Sequence, residues 1–198
     1  MKVIGLCGGS GSGKGAVCSV FSELGIPCID TDAIYHDMTS TRSPCLDELA
    51  CEFGENIVSD GKLNRAALAE IVFSGDKSDE RLKRLNSIAH QHILARVREL
   101  LLHYAADGFE IAVVDAPVLF ESGFDRECHF TLSVIADPEE RIKRIMARDN
   151  ITYSAACKRV QNQKTNEWLI ANTDHQIFNN GSMAELREAV ISFVNNIK

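Results

Sequence analysis

The sequence predicts an α/β fold of three layers, with a central parallel sheet between helices. Three observations predict it. Short apolar runs recur along the chain and alternate with stretches of helical spacing, the order that builds a parallel sheet. The first run leads through GLCGGSGSGKGAV from a strand into a helix, by way of a glycine-rich turn and a lysine. Between the second and third runs lies more helical text than a simple crossover needs.

The elements follow in order. KVIGLC is a short apolar run bounded by glycine, the pattern of a buried strand. AVCSVFSEL continues as a helix from about Gly15 to Leu24, stopped by Gly25 and then Pro27. IPCID is the second strand. From Ala33 to about Ala106 the text reads as helical, ending in the long stretch LKRLNSIAHQHILARVRELLLHYA. There Leu82, Leu85, Ile88, Ala89 and His92 recur at a spacing of three to four residues. Asp107-Gly108 is a turn. EIAVVD, FTLSVIAD and HQIF supply three more strands, and AELREAVISFVNNI closes the sequence as an amphipathic helix. Internal repeats and low-complexity linkers are not seen.

Composition bounds the function. The 198 residues fit one domain with excursions and allow a sizeable core. A net charge of −7 argues against nucleic acid as a partner. One segment runs the other way: between Glu139 and Lys164, seven basic residues face three acidic ones. A solvated helix face and a basic flap that closes on polyphosphate are both open readings of it. No apolar run is long enough for a bilayer, and the N-terminal run is too short for a leader. A cytoplasmic protein with no membrane partner is therefore expected. The seven cysteines are scattered, without a C-x-x-C pair, and read as small buried hydrophobes.

The glycine turn matches G-x-x-x-x-G-K, the phosphate-binding P-loop. Gly8, Gly9, Gly11 and Gly13, with Ser12, let backbone N–H groups turn toward phosphate oxygens, and Lys14 reaches the β- and γ-phosphates. The next two positions depart from the pattern. Gly15 and Ala16 stand where hydroxyl residues usually help to hold Mg²⁺. Water can replace one such ligand, because this ion keeps several waters and leans on substrate phosphates.

Three further places carry candidate chemistry. Asp115 ends the IAVVD run beside the loop, where a carboxylate can hold Mg²⁺ through water or cap the next turn. Asp30 and Asp32 follow the second strand; Asp32 is the favoured base for a hydroxyl attacking phosphorus, and either residue can cap the following helix. His90 and His92 lie on different faces of one helix, a poor metal pair, leaving His90 as a substrate contact or a buried histidine.

Taken together, these blocks resemble the dephospho-coenzyme A kinases. GLCGGSGSGK, LGIPCIDTDAI, FGENIVSDGKLNRAALAEIVF, LNSIAHQHI, VVDAPVLFE, RIKRIMARD, RVQNQ and NNG occur in that family's order, from residue 3 to about residue 181. The resemblance implies a three-layer P-loop fold over residues 1–198, with a helical acceptor-binding insertion at about 33–106 and a helical lid at about 138–165. It implies transfer of the γ-phosphoryl group of ATP, with Mg²⁺, to the 3′-hydroxyl of dephospho-coenzyme A. Lys14, Asp32 and Arg148 would be catalytic. ATP would contact the loop, Gly15, Ala16, Asn180 and Gly181. The acceptor would meet Asp32, Tyr35, Arg65, His90, Asp115, Leu119 and Glu121. Gln91 replaces a proline common in the family, so the helix there is expected to continue. A nucleotide-binding relative without turnover, permitted by Gly15-Ala16, and another small-molecule kinase remain the alternatives. Oligomeric state is not legible.

Overall fold

The computed structural model describes residues 1–197 and divides into two compact units: residues 1–29 with those from 103 onward, and residues 30–102.

The first unit is built on the sheet. Its strands are β1 (Lys2–Cys7), β2 (Cys28–Asp30), which reaches the unit boundary, and, after the second unit, β5 (Ile111–Asp115), β6 (Phe130–Ile135) and β7 (His175–Phe178). The order across the sheet is β2-β5-β1-β6-β7. β1 pairs in parallel with β5 and with β6, and β6 in parallel with β7, so Leu6 stands beside both Asp115 and Leu132. This register brings the carboxyl ends of β1 and β5 level, and the chemistry collects there. The near-continuous apolar runs follow from burial on both sheet faces.

Helix α1 (Lys14–Glu23) and the C-terminal α9 (Met183–Ile197) share one core with the strands: Ile4, Leu6, Val17, Phe21, Val113 and Val190 are all but fully buried. Burying each such side chain contributes roughly 1.5–3 kcal/mol. α1 begins at Lys14 rather than Gly15, on an N-terminus formed by Gly13. Beyond β6 lie α6 (Pro138–Asp149), α7 (Tyr153–Gln161) and α8 (Asn166–Asn172). Asn150, at φ 51°, ends α6, and Ile142, Ile145 and Ala156 join α6 to α7 through a small apolar cluster.

The second unit holds α2 (Thr31–Ser40), α3 (Pro44–Phe53), α4 (Arg65–Phe73) and most of α5 (Ser78–Ala106). Its core gathers Cys45, Leu49, Ile57, Leu68, Val72 and Ile88. Ser43 and Asn64 cap α3 and α4 by accepting from the N–H groups of Leu46 and Ala67. α5 runs unbroken through Gln91, in keeping with the missing proline. The wholly helical reading of residues 33–106 is corrected at one place. Val58–Ser59 (β3) and Lys62–Leu63 (β4) form an antiparallel hairpin. Asp60 and Gly61 make its turn with φ of 53° and 73°, the left-handed pair that an Asp-Gly dipeptide favours.

Candidate active site

The loop between β1 and α1 is held from behind by residues remote in sequence. Arg141 on α6 is 2% exposed and donates from Nε to the Ser10 carbonyl at 3.0 Å. Its Nη2 donates to Gln163 Oε1 at 2.6 Å, and that oxygen also accepts the Ser10 N–H at 2.9 Å. One helical turn on, Arg144 reaches the carbonyls of Gly11 (3.3 Å), Ser12 (3.4 Å) and Asn179 (2.9 Å). Asn179 donates from Nδ2 to the Ser12 carbonyl at 2.8 Å.

Two glycines make this grip possible. A Cβ on Gly9 would stand 2.1 Å from Arg141 Nη2, and one on Gly13 would stand 2.1 Å from Asn179 Nδ2. Gly13 also adopts φ 99°, a conformation other residues seldom take. Burial pulls the Arg141 guanidinium below its ordinary pKa; the carbonyl dipoles around it offset that cost. Gly13 supplies no side-chain cap at the start of α1, so the first N–H groups of that helix are not held by one, as suits an anion.

Lys14 Nζ lies 3.3 Å from the Gly8 carbonyl and 3.9 Å from Asp115 Oδ1. Asp115 ends β5, as its place in the sequence predicted, and the Cys18 thiol lies 3.8 Å from its Oδ2. Ser12 is buried, and its Oγ has no hydrogen-bond partner. Gly15 is exposed, with nothing within 4 Å of where a Cβ would stand, and Ala16 packs against the core. The donor set therefore fits Mg²⁺ held chiefly by phosphate and water, with one hard carboxylate oxygen donor from the protein.

Arg148 is exposed, forms a two-pronged pair with Asp149 at 2.7 and 3.0 Å, and reaches Ser10 Oγ at 3.3 Å. Arg159 shares the same carboxylate. The hydrogen bond from Arg148, with help from Arg159, holds the Asp149 carboxyl down at about 2. Much of the basic segment's charge is thus spent inside the fold. Lys143 pairs with Glu140, while Lys164 pairs with Glu121 at 2.8 Å and sits 3.9 Å from the Trp168 ring centre. Beside the loop, Gly8, Gly9, Phe120, Glu121 and Lys164 line a cleft of about 300 Å³.

The other candidates fall in several places. Asn180 exchanges two hydrogen bonds with Asp137, at 2.8 and 3.0 Å, and Gly181 lies beside the Glu185 carboxylate that caps α9. In the second unit, Asp30 caps α2, accepting from the N–H groups of Asp32 and Ala33, while the Asp32 residue is exposed. Tyr35 and Arg65 line one cleft of about 140 Å³, and burial raises the Tyr35 pKa. His90 is half-buried on α5, and His92 pairs with Glu48 at 2.8 Å. Leu119, expected to meet the acceptor, lies in the core. It is fully buried, its methyl groups filling the space over Gly5, where an aliphatic side chain gains most from leaving water.

Arg141, Arg144, Gln163 and Asn179 were not singled out from the sequence. For the arginines a signal existed, since positions 141, 144 and 148 share one helix face. For Gln163 and Asn179 none did, because their partners lie about 150 and 170 residues away along the chain.

Comparison with known proteins gives a consistent result. The family model for dephospho-CoA kinase matches residues 2–185. A dephospho-CoA kinase of Carboxydothermus hydrogenoformans is 33% identical, covering 100% of this chain and 95% of its own. A Thermus thermophilus protein of known crystal structure is 31% identical with a TM-score of 0.80, covering 100% and 98% of the two chains. The dephospho-CoA kinase of Campylobacter jejuni is 25% identical with a TM-score of 0.71 at the same coverage.

Proposed function

The chain belongs to the dephospho-CoA kinase family and phosphorylates dephospho-coenzyme A with ATP, and from that premise we propose how its residues divide the work. The observation that carries the reading is the loop held by Arg141 and its neighbours, with Lys14 and Asp115 paired beside it.

ATP lies with its phosphates against the N–H groups that residues 8–16 leave open, and Lys14 leaves the Gly8 carbonyl for the β- and γ-phosphates. Asn180 and Gly181 stand near the adenine. Dephospho-coenzyme A offers its ribose 3′-hydroxyl to Asp32, whose carboxylate oxygen takes the proton as the new O–P bond forms. The bond from the γ-phosphorus to the bridging oxygen breaks, and ADP leaves. Arg148 exchanges Asp149 for the oxygens of the transferring group. Charge stabilisation and positioning of this kind account for most of the rate in phosphoryl transfer. When bound, Mg²⁺ would neutralise charge on the phosphates, and Asp115 would hold it through water.

Tyr35, Arg65 and His90 in the second unit, and Asp115 and Glu121 in the first, are the side chains we assign to the acceptor. The composition and the free thiols support a cytoplasmic setting. Among the described residues, no helix is long and apolar enough to cross a membrane.

The test is direct: incubate the protein with ATP, Mg²⁺ and dephospho-coenzyme A and detect coenzyme A by mass. Lys14→Ala and Asp32→Asn are each expected to lower the rate by roughly 10³-fold. Unchanged rates in both variants would overturn the assignment.

A further inference from the structure

Cys18 and Cys28 are ten positions apart and look unrelated in the sequence. The structure puts them together. After α1 the chain turns at Gly25, φ 74°, where the Ile26 N–H donates back to the Phe21 carbonyl, and then enters β2. This reversal brings the Cys28 thiol to 3.6 Å from the Cys18 carbonyl oxygen. Each thiol is the largest influence on the other's titration, raising that of Cys18 and lowering that of Cys28, and both pack half-buried against the core, still partly open to solvent. The Cys18 thiol, in turn, lies 3.8 Å from Asp115 Oδ2. The remaining cysteines are placed otherwise. Cys45 is buried in the second unit, Cys51 is exposed there, and Cys128 donates to the Phe124 carbonyl.

We propose that Cys18 and Cys28 form a reversible disulfide whose closure slows phosphoryl transfer. With hydrogen peroxide as oxidant, one thiol attacks the peroxide O–O bond and becomes a sulfenic acid, releasing one water. The second thiol then attacks that sulfur; the S–S bond forms, the S–O bond breaks, and a second water leaves. Two thiols and one peroxide thus give one disulfide and two waters. A disulfide in a reducing compartment is typically of this transient, redox-sensing kind.

The consequence follows from what each cysteine is attached to. Closure takes the Cys18 S–H away from Asp115. It also ties α1, which begins at Lys14, to β2, which ends at Asp30, the cap of the helix that carries Asp32. Reacting groups held by these elements must be placed finely for transfer. The slowing rests on the kinase reading; the cross-link does not.

The experiment oxidises the full-length, reduced protein with stoichiometric hydrogen peroxide, alkylates the remaining thiols, maps the peptides, and assays transfer in parallel. The expected result is loss of two alkylatable thiols, a Cys18–Cys28 cross-linked peptide, and a fall in rate of about tenfold that dithiothreitol reverses. Cys28→Ser should keep its rate under the same treatment. No cross-link, a different pairing such as Cys7–Cys128, or equal inhibition of Cys28→Ser overturns the proposal. Should that variant fail to fold, the wild-type time courses decide: cross-linking and loss of rate must run together, and divergence refutes the link. A reduced protein that makes no coenzyme A would refute the kinase reading instead, whatever the peptide map shows.

Discussion

The two sides of the phosphate loop are built in opposite ways. Behind it, Arg141, Arg144, Gln163 and Asn179 hold the backbone of residues 10–12 through hydrogen bonds of 2.8 to 3.4 Å. By contrast, Lys14 has one long hydrogen bond to Gly8 besides its ion pair with Asp115, Arg148 is held by a neighbouring carboxylate, and Gly15 has open space beside it. Arginine serves on both sides. Buried Arg141 is committed to the fold, whereas exposed Arg148 is on loan to Asp149. With the proposed role of Arg148, the difference teaches that burial and partner, not residue type, decide whether a cation serves stability or transfer. On the proposed function, a loop already held by these hydrogen bonds needs little reorganisation when charge develops.

The sharpest way to break this comparison is at Arg148. Arg148→Ala should lower kcat by roughly 10²–10³-fold and raise KM for ATP much less, because its charge matters most in the transition state. Its thermal midpoint should stay near wild type, since an exposed ion pair contributes little to stability. Equal losses in kcat and affinity would make it a binding residue.

Arg141 should behave in the converse way. Arg141→Ala takes the guanidinium from the Ser10 carbonyl and leaves Gln163 Oε1 with the Ser10 N–H alone, at a cost of about 2–3 kcal/mol and a fall in Tm of about 5–10 °C. Arg141→Lys should recover only part of this, since one ammonium cannot reproduce the fork. A Tm unchanged in Arg141→Ala, read by calorimetry, would show that the rear grip is dispensable.

A smaller effect is expected at Gly15. Its helical position and open surroundings accept a side chain without a clash, so Gly15→Ser should lower the Mg²⁺ concentration for half-maximal rate by roughly two- to fivefold. A titration that does not move would mean that water and phosphate meet the ion's needs unaided.

The smallest effect concerns Asp149, whose carboxyl lies at about 2 against an ordinary 3.8. A depressed carboxyl pKa in the folded state contributes stability that is complete above the ordinary value and lost as pH falls through the depressed one. Between about pH 4 and pH 2, Asp149→Asn should therefore lose less thermal stability than wild type. Parallel curves would show that the arginine pair contributes nothing measurable.

The sequence by itself determined the strands, the loop, and the lysine and aspartate beside it. Each is a local pattern: an apolar run, a glycine spacing, a carboxylate at a strand's end. The Asp-Gly hairpin turn was also legible, though the surrounding helical text masked it. Tertiary structure alone decided which arginines face inward, that Leu119 belongs to the core, and that Gln163 and Asn179 complete the loop. It also decided that two cysteines meet beside Asp115. The physical reason is range. Helix and strand periods, caps and turns are set by neighbours within a few residues, whereas the partners of Ser10 and Ser12 stand more than 130 residues away, across β6 and β7.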